Sequence, residues 1–430
     1  MTRLLTMKTA STLTIATAVA AACNVAVAAN PVTGALGEIK PIIDVRVRYE
    51  SVEQAPLVED AEAIVARARL GAETGRAWNT SLLVEGEFVG ALVDDYREDP
   101  AVAINATFPV VPDPEDLELN RFHLTNISIA NTTITLGRQR INLDDQRFVG
   151  NVGWRMNEQT FDALRVVTRP AAGNLFIDVT YSNRVNRIFG PDSPQGVYKG
   201  DVIMGNVAYQ FRLGRLTAFN YLLDFDPITT VAAGLNPLRM STSTTGLRFA
   251  GETPLSRIKL GYAFSYAQQN DYGDNPVDYD NDYKLAEITA TYKQYSLLLG
   301  NEIQGSHVAP NGATVGFATP LATLHKFQGW VDKFLTTPAN GIDDRYAQLT
   351  ANYKGVGPLE TLAAIVAYHS YESDRLSIGY GSEFNFSVAA KKGRFTGTLK
   401  YGDYSEGSTA AARAVARDTK KLWAQVDFIW

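Results

Sequence analysis

The sequence predicts an all-β protein: a transmembrane antiparallel up-and-down barrel of about 18 strands, and three observations carry that reading. Alternating apolar and polar segments recur along the whole chain. The connections between them are alternately tight and long. The final segment, Thr419–Trp430, ends on an aromatic residue and places Leu422, Ala424, Val426, Phe428 and Trp430 on one face against Lys421, Trp423, Gln425, Asp427 and Ile429. A period of two is a strand with two unlike faces.

The segments follow in order. Ile39–Ser51 sets Val45, Val47 and Tyr49 against Asp44, Arg46, Arg48 and Glu50, and Ile64–Glu73 sets Ala66, Ala68 and Leu70 against Val65, Arg67 and Arg69. The turn Gly75-Arg76 leads to Thr80–Gly90, and the long connection Ala91–Asp116 leads to Leu117–Ile129. Ala130-Asn131 turns the chain into Thr132–Ile141, and Asn142–Glu158 is long again. Gln159–Arg169 and Leu175–Val185 flank the turn Ala171-Ala172-Gly173, and Asp201–Phe211 and Arg215–Phe225 meet at Leu213-Gly214. After Asp226–Met240, the segments Ser241–Gly251 and Ser256–Gln268 flank Glu252-Thr253-Pro254. Asp282–Lys293 and Tyr295–Gly305 join at Gln294. The long stretch Ser306–Ile342 precedes Asp343–Lys354 and Leu359–Tyr371, which join at Gly355-Val356-Gly357. Ser377–Lys391 and Arg394–Tyr404 turn at Lys392-Gly393, and Thr419–Trp430 brings the count to 18. Short turns on one side and long loops on the other are the organisation of outer-membrane barrels, and an even count puts both ends on the short-turn side.

Composition agrees. Arg3 and Lys8, the apolar stretch Leu13–Ala28 and the small residues Ala26-Val27-Ala28 read as a signal peptide over residues 1–28, leaving 29–430 as the barrel. Lipid attachment at Cys23 is the other reading of that region, but Ala20-Ala21-Ala22 lacks the upstream leucine. Cleavage after Ala28 leaves no cysteine and so no disulfide. The formal net charge of −6 becomes two units more negative without Arg3 and Lys8, which argues against nucleic acid as a partner. The partners expected instead are outer-membrane lipid and lipopolysaccharide, the barrel-assembly machinery, and an anionic solute or polysaccharide. No stretch of about 20 apolar residues follows the leader, so a spanning helix is not expected.

A barrel of this size is too wide for side chains to fill, so it is expected to be a channel narrowed by a folded-in loop. Ala91–Asp116 and Ser306–Ile342 are the candidates. The second carries Phe327, Trp330, Phe334 and Leu335, and the three aromatics are expected to pack into the barrel mouth or against Asn142–Glu158.

Charged side chains do not face hydrocarbon cheaply, so Arg46, Arg48, Arg67, Arg69, Arg121, Arg248 and Arg257 are expected to point inward. There they could hold carboxylate or phosphate groups with paired N–H donors, or simply bridge to Asp44, Glu50, Glu73, Glu85 and Glu87. No hydrolase elbow, zinc-protease helix or phosphate loop occurs, so neither enzyme nor cofactor is expected. A barrel lipase would need a serine beside His123 or His369 on the outer face. Asp278, Asp280 and Asp282 have calcium-loop spacing, but Tyr283 and Thr289 stand where glycine and glutamate belong, and a solvated acidic loop is the plainer reading. No metal site is expected.

Three blocks carry a family resemblance: GRQRINLDDQRFVGNVGWRMNEQTFD at Gly137–Asp162, YSNRVNRIFG at Tyr181–Gly190, and LHKFQGWVDKFL at Leu324–Leu335 followed by Pro338 and Gly341. They resemble the alginate-export porins, and the likeness runs from about Ile39 to Trp430. The resemblance implies an eighteen-stranded outer-membrane barrel with an arginine-lined pore for an acidic polysaccharide. It adds Arg138, Arg140, Arg147, Arg155 and Arg165 to Arg46, Arg48, Arg67 and Arg69 as pore residues. A general porin for small solutes and a channel for hydrophobic compounds are the alternatives.

Overall fold

The computed structural model describes residues 31–170, 173–232 and 235–430. The signal-peptide segment and Ala171-Ala172 of one expected turn lie outside the described residues. The eighteen alternating segments become eighteen strands of one closed sheet. They are β1 (Lys40–Gln54), β2 (Ala61–Glu73), β3 (Thr80–Asp95), β4 (Asp116–Asn126), β5 (Thr132–Gln139), β6 (Thr160–Thr168), β7 (Leu175–Asn186), β8 (Val197–Gln210), β9 (Arg215–Phe225), β10 (Thr242–Leu255), β11 (Ile258–Asp271), β12 (Asp280–Tyr292) and β13 (Tyr295–Gln304), then β16 (Ile342–Val356), β17 (Leu359–Glu372), β18 (Gly379–Lys392), β19 (Phe395–Glu406) and β20 (Thr419–Ile429). The two remaining strands, β14 (Ser306–Val308) and β15 (Thr314–Gly316), form a separate small hairpin.

Each barrel strand runs antiparallel to its neighbours, and β20 closes the ring on β1 with Val47 opposite Val426. Trp430 extends the seam by donating its backbone N–H to Ile43 O at 2.9 Å. Closure leaves no unpaired strand edge, which a bilayer requires because it offers the backbone no hydrogen-bond partner.

Alternation turns this barrel inside out. Outward positions are apolar and exposed: Val47, Leu136, Leu164, Val179, Ile203, Leu247, Leu299 and Val426 among them. Inward positions are polar and buried: Arg48, Glu50, Arg67, Glu85, Thr180, Asn206, Gln269, Glu302, Glu383 and Asn385. Exposed aromatics flank the belt. Phe211, Tyr292, Tyr295, Tyr353 and Phe395 lie beside the short turns, with the Tyr295 and Tyr353 hydroxyls 2.8 Å apart. Tyr181, Tyr266, Tyr368 and Phe384 lie toward the loop end. This is the pattern of a membrane barrel with interfacial girdles.

Four turns join directly paired barrel-strand ends through two residues, and the first of each, Ser256, Lys293, Gly357 and Gly393, has φ of 58°, 53°, 57° and 58°. Positive φ at the first position is the II′ pattern that matches the strand twist. Glu252-Thr253-Pro254, expected as a turn, lies inside β10, and the chain reverses at Ser256-Arg257. Beyond Ala250, β10 has run past the end of β9, so Pro254 removes no hydrogen bond on that side. The same shift puts Arg257 on an exposed turn and not, as expected, in the lumen.

An arginine at Leu299, on the lipid belt, would meet hydrocarbon. Leu299→Arg is expected to destabilise the barrel by about 2–4 kcal/mol, and Leu299→Ala by much less, in denaturant unfolding from lipid vesicles.

Candidate channel constriction

Two loops fold into the lumen: residues 140–159 between β5 and β6, and 305–341 between β13 and β16. The first was expected only as a packing partner. Ala91–Asp116, the other expected plug, contributes Tyr96, Val111 and Asp113 beside the wall of β1 to β3. The two in-folded loops clasp each other. Val149 and Leu321 form a parallel bridge, Gly150 N–H donates to Leu321 O at 2.9 Å, and Thr323 N–H donates to Gln146 O at 3.1 Å. Gln159 Nε2 donates to Leu321 O at 2.9 Å and to Gly150 O at 2.8 Å. A Cβ at Gly150 would lie 2.1 Å from Thr323 Oγ1, so only glycine permits this approach. Val152 has φ of 53°, an unusual conformation for a β-branched residue, stabilised here by Thr323 Oγ1 accepting its N–H at 3.2 Å.

Apolar residues anchor the clasp. Ile141, Leu143 and Val149 of the first loop and Phe317 and Leu321 of the second pack on Phe161, Phe219, Tyr221 and Tyr283 of the wall. Farther along, Phe334 is 2% exposed and packs 4.6 Å from the Tyr371 ring, beside Tyr380 and Tyr404. Phe327 lies under the Arg147 guanidinium at 4.7 Å and Trp330 under Lys400 Nζ at 4.0 Å, so all three expected aromatics are engaged and none is exposed.

The arginines of β1 and β2 hold the first loop from the opposite wall. Arg46 donates to Trp154 O at 2.9 Å and Gly153 O at 3.1 Å, Arg48 to Trp154 O, and Arg69 to Met156 O at 3.3 Å. Arg46 and Arg67 stand directly opposite each other on neighbouring strands, a repulsive arrangement that Asp427 (2.7 Å from Arg46) and Asp44 (2.5 Å from Arg67) offset. Arg48 meets Asp113 at 3.3 Å, and Arg69 meets Glu87. Arg155 bridges loop to wall through Glu50 (3.2 Å) and to the second loop through Asp332 (2.6 Å). Arg140 pairs with Glu158 and with Glu85 (3.4 Å), and Arg147 with Glu302 (2.6 Å).

Two of the nine candidate arginines stand apart. Arg165 lies on the far wall and pairs with Asp178 at 2.5 Å. Arg138 is not in the lumen: it is directly opposite Phe122, 49% exposed on the outer face, and two residues from exposed Leu136. Every one of the nine has a carboxylate partner.

Sequence reading missed Trp154, His325, Asp332 and Lys400, which form one unit: the His325, Asp332 and Lys400 side chains are buried and Trp154 is partly exposed. Trp154 stacks on His325 at 4.7 Å, with Arg48 4.1 Å and Lys400 4.2 Å from its ring centre. Lys400 Nζ donates to His325 Nε2 at 2.7 Å, and His325 Nδ1 lies 2.7 Å from Asp332. An accepting Nε2 requires the neutral ring with its proton on Nδ1. Burial pushes His325 well below the usual imidazole range, consistent with that tautomer. Burial would raise Asp332, but His325, Lys421 and Arg155 hold it well below the usual carboxylate range. Inward Lys400 and Lys421 were legible from their alternation with outward Leu399 and Leu422.

Below the first loop, toward the short turns, lies a cavity of about 400 Å³ lined by Arg165, Phe176, Asp178, Arg215, Arg248 and loop residues Asp144 and Asp145. Arg248 pairs with Asp145 at 2.8 Å. Arg215 rests 4.4 Å over the Phe176 ring, with no carboxylate in ion-pair distance among the described residues.

His123 bonds to Arg138 O and His369 to Asp344, both from the inner face, so neither forms the outward serine pair of a barrel lipase. Among the described residues no group of carboxylates, histidines or cysteines is arranged to hold a metal ion. In the acidic loop, Asp271 accepts the Tyr279 N–H at 3.1 Å, and Asp282 pairs with Lys284 at 2.5 Å.

Solved structures share this architecture. Pseudomonas aeruginosa OccK1 (OpdK) superposes with a TM-score of 0.64 at 14% identity, over 92% of this chain and 99% of that one. Acinetobacter baumannii OccAB3 gives 0.67 at 13% identity, over 92% and 99%. The fold is that of an outer-membrane porin. A further structure, OpdK with vanillate, gives 0.65 at 14% identity, over 92% of this chain and 99% of that one. No protein-family profile matches the chain. No curated protein matches it either. The eighteen-stranded barrel implied by the sequence blocks is thus supported by the solved neighbours, while nothing in them supports the alginate-export family specifically.

Two outcomes follow for the clasp. Gly150→Val is expected to drive Thr323 away and raise single-channel conductance and current noise, with heat-modifiable mobility of the folded barrel unchanged; unaltered current would count against the clasp as the constriction. The second concerns pH. A histidine whose pKa is lowered on burial contributes stability in full above its unfolded value of about 6.5 and loses it as pH falls toward the folded value. Gating noise is therefore expected to grow below about pH 6.5, and His325→Gln is expected to flatten that dependence.

Proposed function

We propose that this chain is an outer-membrane porin for small polar solutes, with a mild preference for anions, and not an exporter of acidic polymer. The observation that carries the reading is the clasp of residues 140–159 with 305–341 across the lumen, reinforced by arginines already spent on carboxylates and loop carbonyls. A polymer path needs a wide passage and unpaired cations along its length. Here Arg48, Arg67, Arg147 and Arg155 are each at most 3% exposed. The hydrophobic-compound alternative has less support, since the apolar residues inside the barrel are packed on each other.

The anion preference rests on the turn-side cavity, where Arg215 makes no ion pair among the described residues, although Asp144 shares the lining, and Phe176 offers an aromatic surface. Such a site suits a small carboxylate, and one solved neighbour was crystallised with vanillate. Paired lumen charges leave a weak field, so an anion/cation permeability ratio between about 1 and 5 is expected from the reversal potential in a salt gradient. Arg215→Ala should bring that ratio toward unity without altering assembly. Passage of an acidic polysaccharide, or strong cation selectivity, would overturn the reading.

A further inference from the structure

Arg138, displaced from the lumen group, begins a row on the outer wall. Direct register partners across five neighbouring strands are Phe122, Arg138, Asp162, Arg184 and Lys199. Directly opposed residues share a face of the sheet. The adjacent row, Gln139, Phe161, Val185 and Tyr198, faces the other way and is buried against the lumen. Bulges at Asp162/Ala163 and Ser182/Arg184 bring Arg184 out beside Asn183.

The row sits at the loop end of its strands. Beneath it on the same face come Leu136, Leu164, Tyr181 and Ile203, the edge of the exposed apolar belt. In an outer membrane, charges just above that belt would stand at the height of the outer-leaflet headgroups.

Two arginines share one carboxylate, and a lysine stands beside them. Arg138 holds Asp162 in two-point fashion, Nε to Oδ1 at 2.7 Å and Nη2 to Oδ2 at 3.1 Å. Arg184 reaches Asp162 at 3.8 Å and donates to Asn186 Oδ1 at 2.8 Å. Lys199 is exposed and has no ion partner among the described residues, although it stands directly opposite Arg184. Like charges in that relation destabilise a sheet unless an anion lies between them. The nearby outward Asp201 takes the Tyr181 hydroxyl at 2.7 Å.

We propose that Arg138, Arg184 and Lys199 form a binding site on the outer wall for a phosphate group of outer-leaflet lipopolysaccharide, with Asp162 fixing the two guanidiniums. The inference rests on the outer-membrane reading. The Arg184 guanidinium and the Lys199 ammonium suit phosphate oxygens, Arg138 adding positive charge while its own nitrogens are held by Asp162 and by Leu119 O at 2.9 Å, and the position at the loop end, opposite the short turns, selects the glycolipid leaflet over the phospholipid one.

The test is lipid binding to the full chain in detergent, followed by native mass spectrometry. Diphosphoryl lipid A is expected to bind at least about tenfold more tightly than the dephosphorylated lipid or phosphatidylglycerol, and Lys199→Glu should abolish that preference. Lys199 is exposed and unpaired, so this variant is expected to fold. The triple variant Arg138→Ala, Arg184→Ala, Lys199→Ala should behave in the same way. Equal binding of the three lipids, or unchanged preference in Lys199→Glu, would overturn the proposal. Planar-bilayer conductance of the same preparation separates the two readings: current without lipid preference sinks the site alone, and absence of current sinks the porin.

Discussion

The grip of inward guanidinium groups on the backbone carbonyls of Gly153, Trp154 and Met156 is the interaction on which the constriction depends. An eighteen-stranded ring leaves a space that wall side chains do not fill. A loop entering that space brings backbone acceptors that must find donors. Arg46, Arg48 and Arg69 supply them from one wall, while Ile141, Leu143 and Val149 bury their side chains against the other. Cutting either attachment would expose the polar backbone of the loop or its apolar underside.

Charge pairing then sets the field inside the barrel. Arg155 touches the first loop's own wall contact, Glu50, and the second loop's Asp332, so one side chain joins three parts of the lumen. Removing one partner of so buried a group leaves an uncompensated charge, which costs more than the pair contributes. Neutralisation on this scale also weakens the field felt by a passing ion. An arginine-rich inner face is therefore compatible with modest selectivity, because the donors serve the architecture first.

The strands were legible because a period of two, with aromatics at the ends and turns between, is a local signal. All eighteen expected segments correspond to barrel strands, and the errors lie at edges such as Pro254, where the ladder partner and not the local sequence decides. The site was legible in part. Arg46, Arg48, Arg67 and Arg69 could be placed inward by alternation, but their partners Asp427, Asp113 and Glu87 are distant in sequence or on other strands. Arg138 was drawn into the pore by a resemblance, although its alternation with Leu136 already pointed outward. Trp154 and His325 come together only because two loops from opposite sides of the ring meet, and no spacing in the sequence announces that.

The clasp has a mechanical meaning as well. Its two loops spring from the β5–β6 and β13–β16 connections, which are eight strand positions apart in a ring of eighteen, nearly a full diameter. Joined at Val149 and Leu321, they act as an internal strut between opposite walls. A load that flattens the cylinder must stretch or buckle this brace, so the pore's bore and the roundness of its wall are one property.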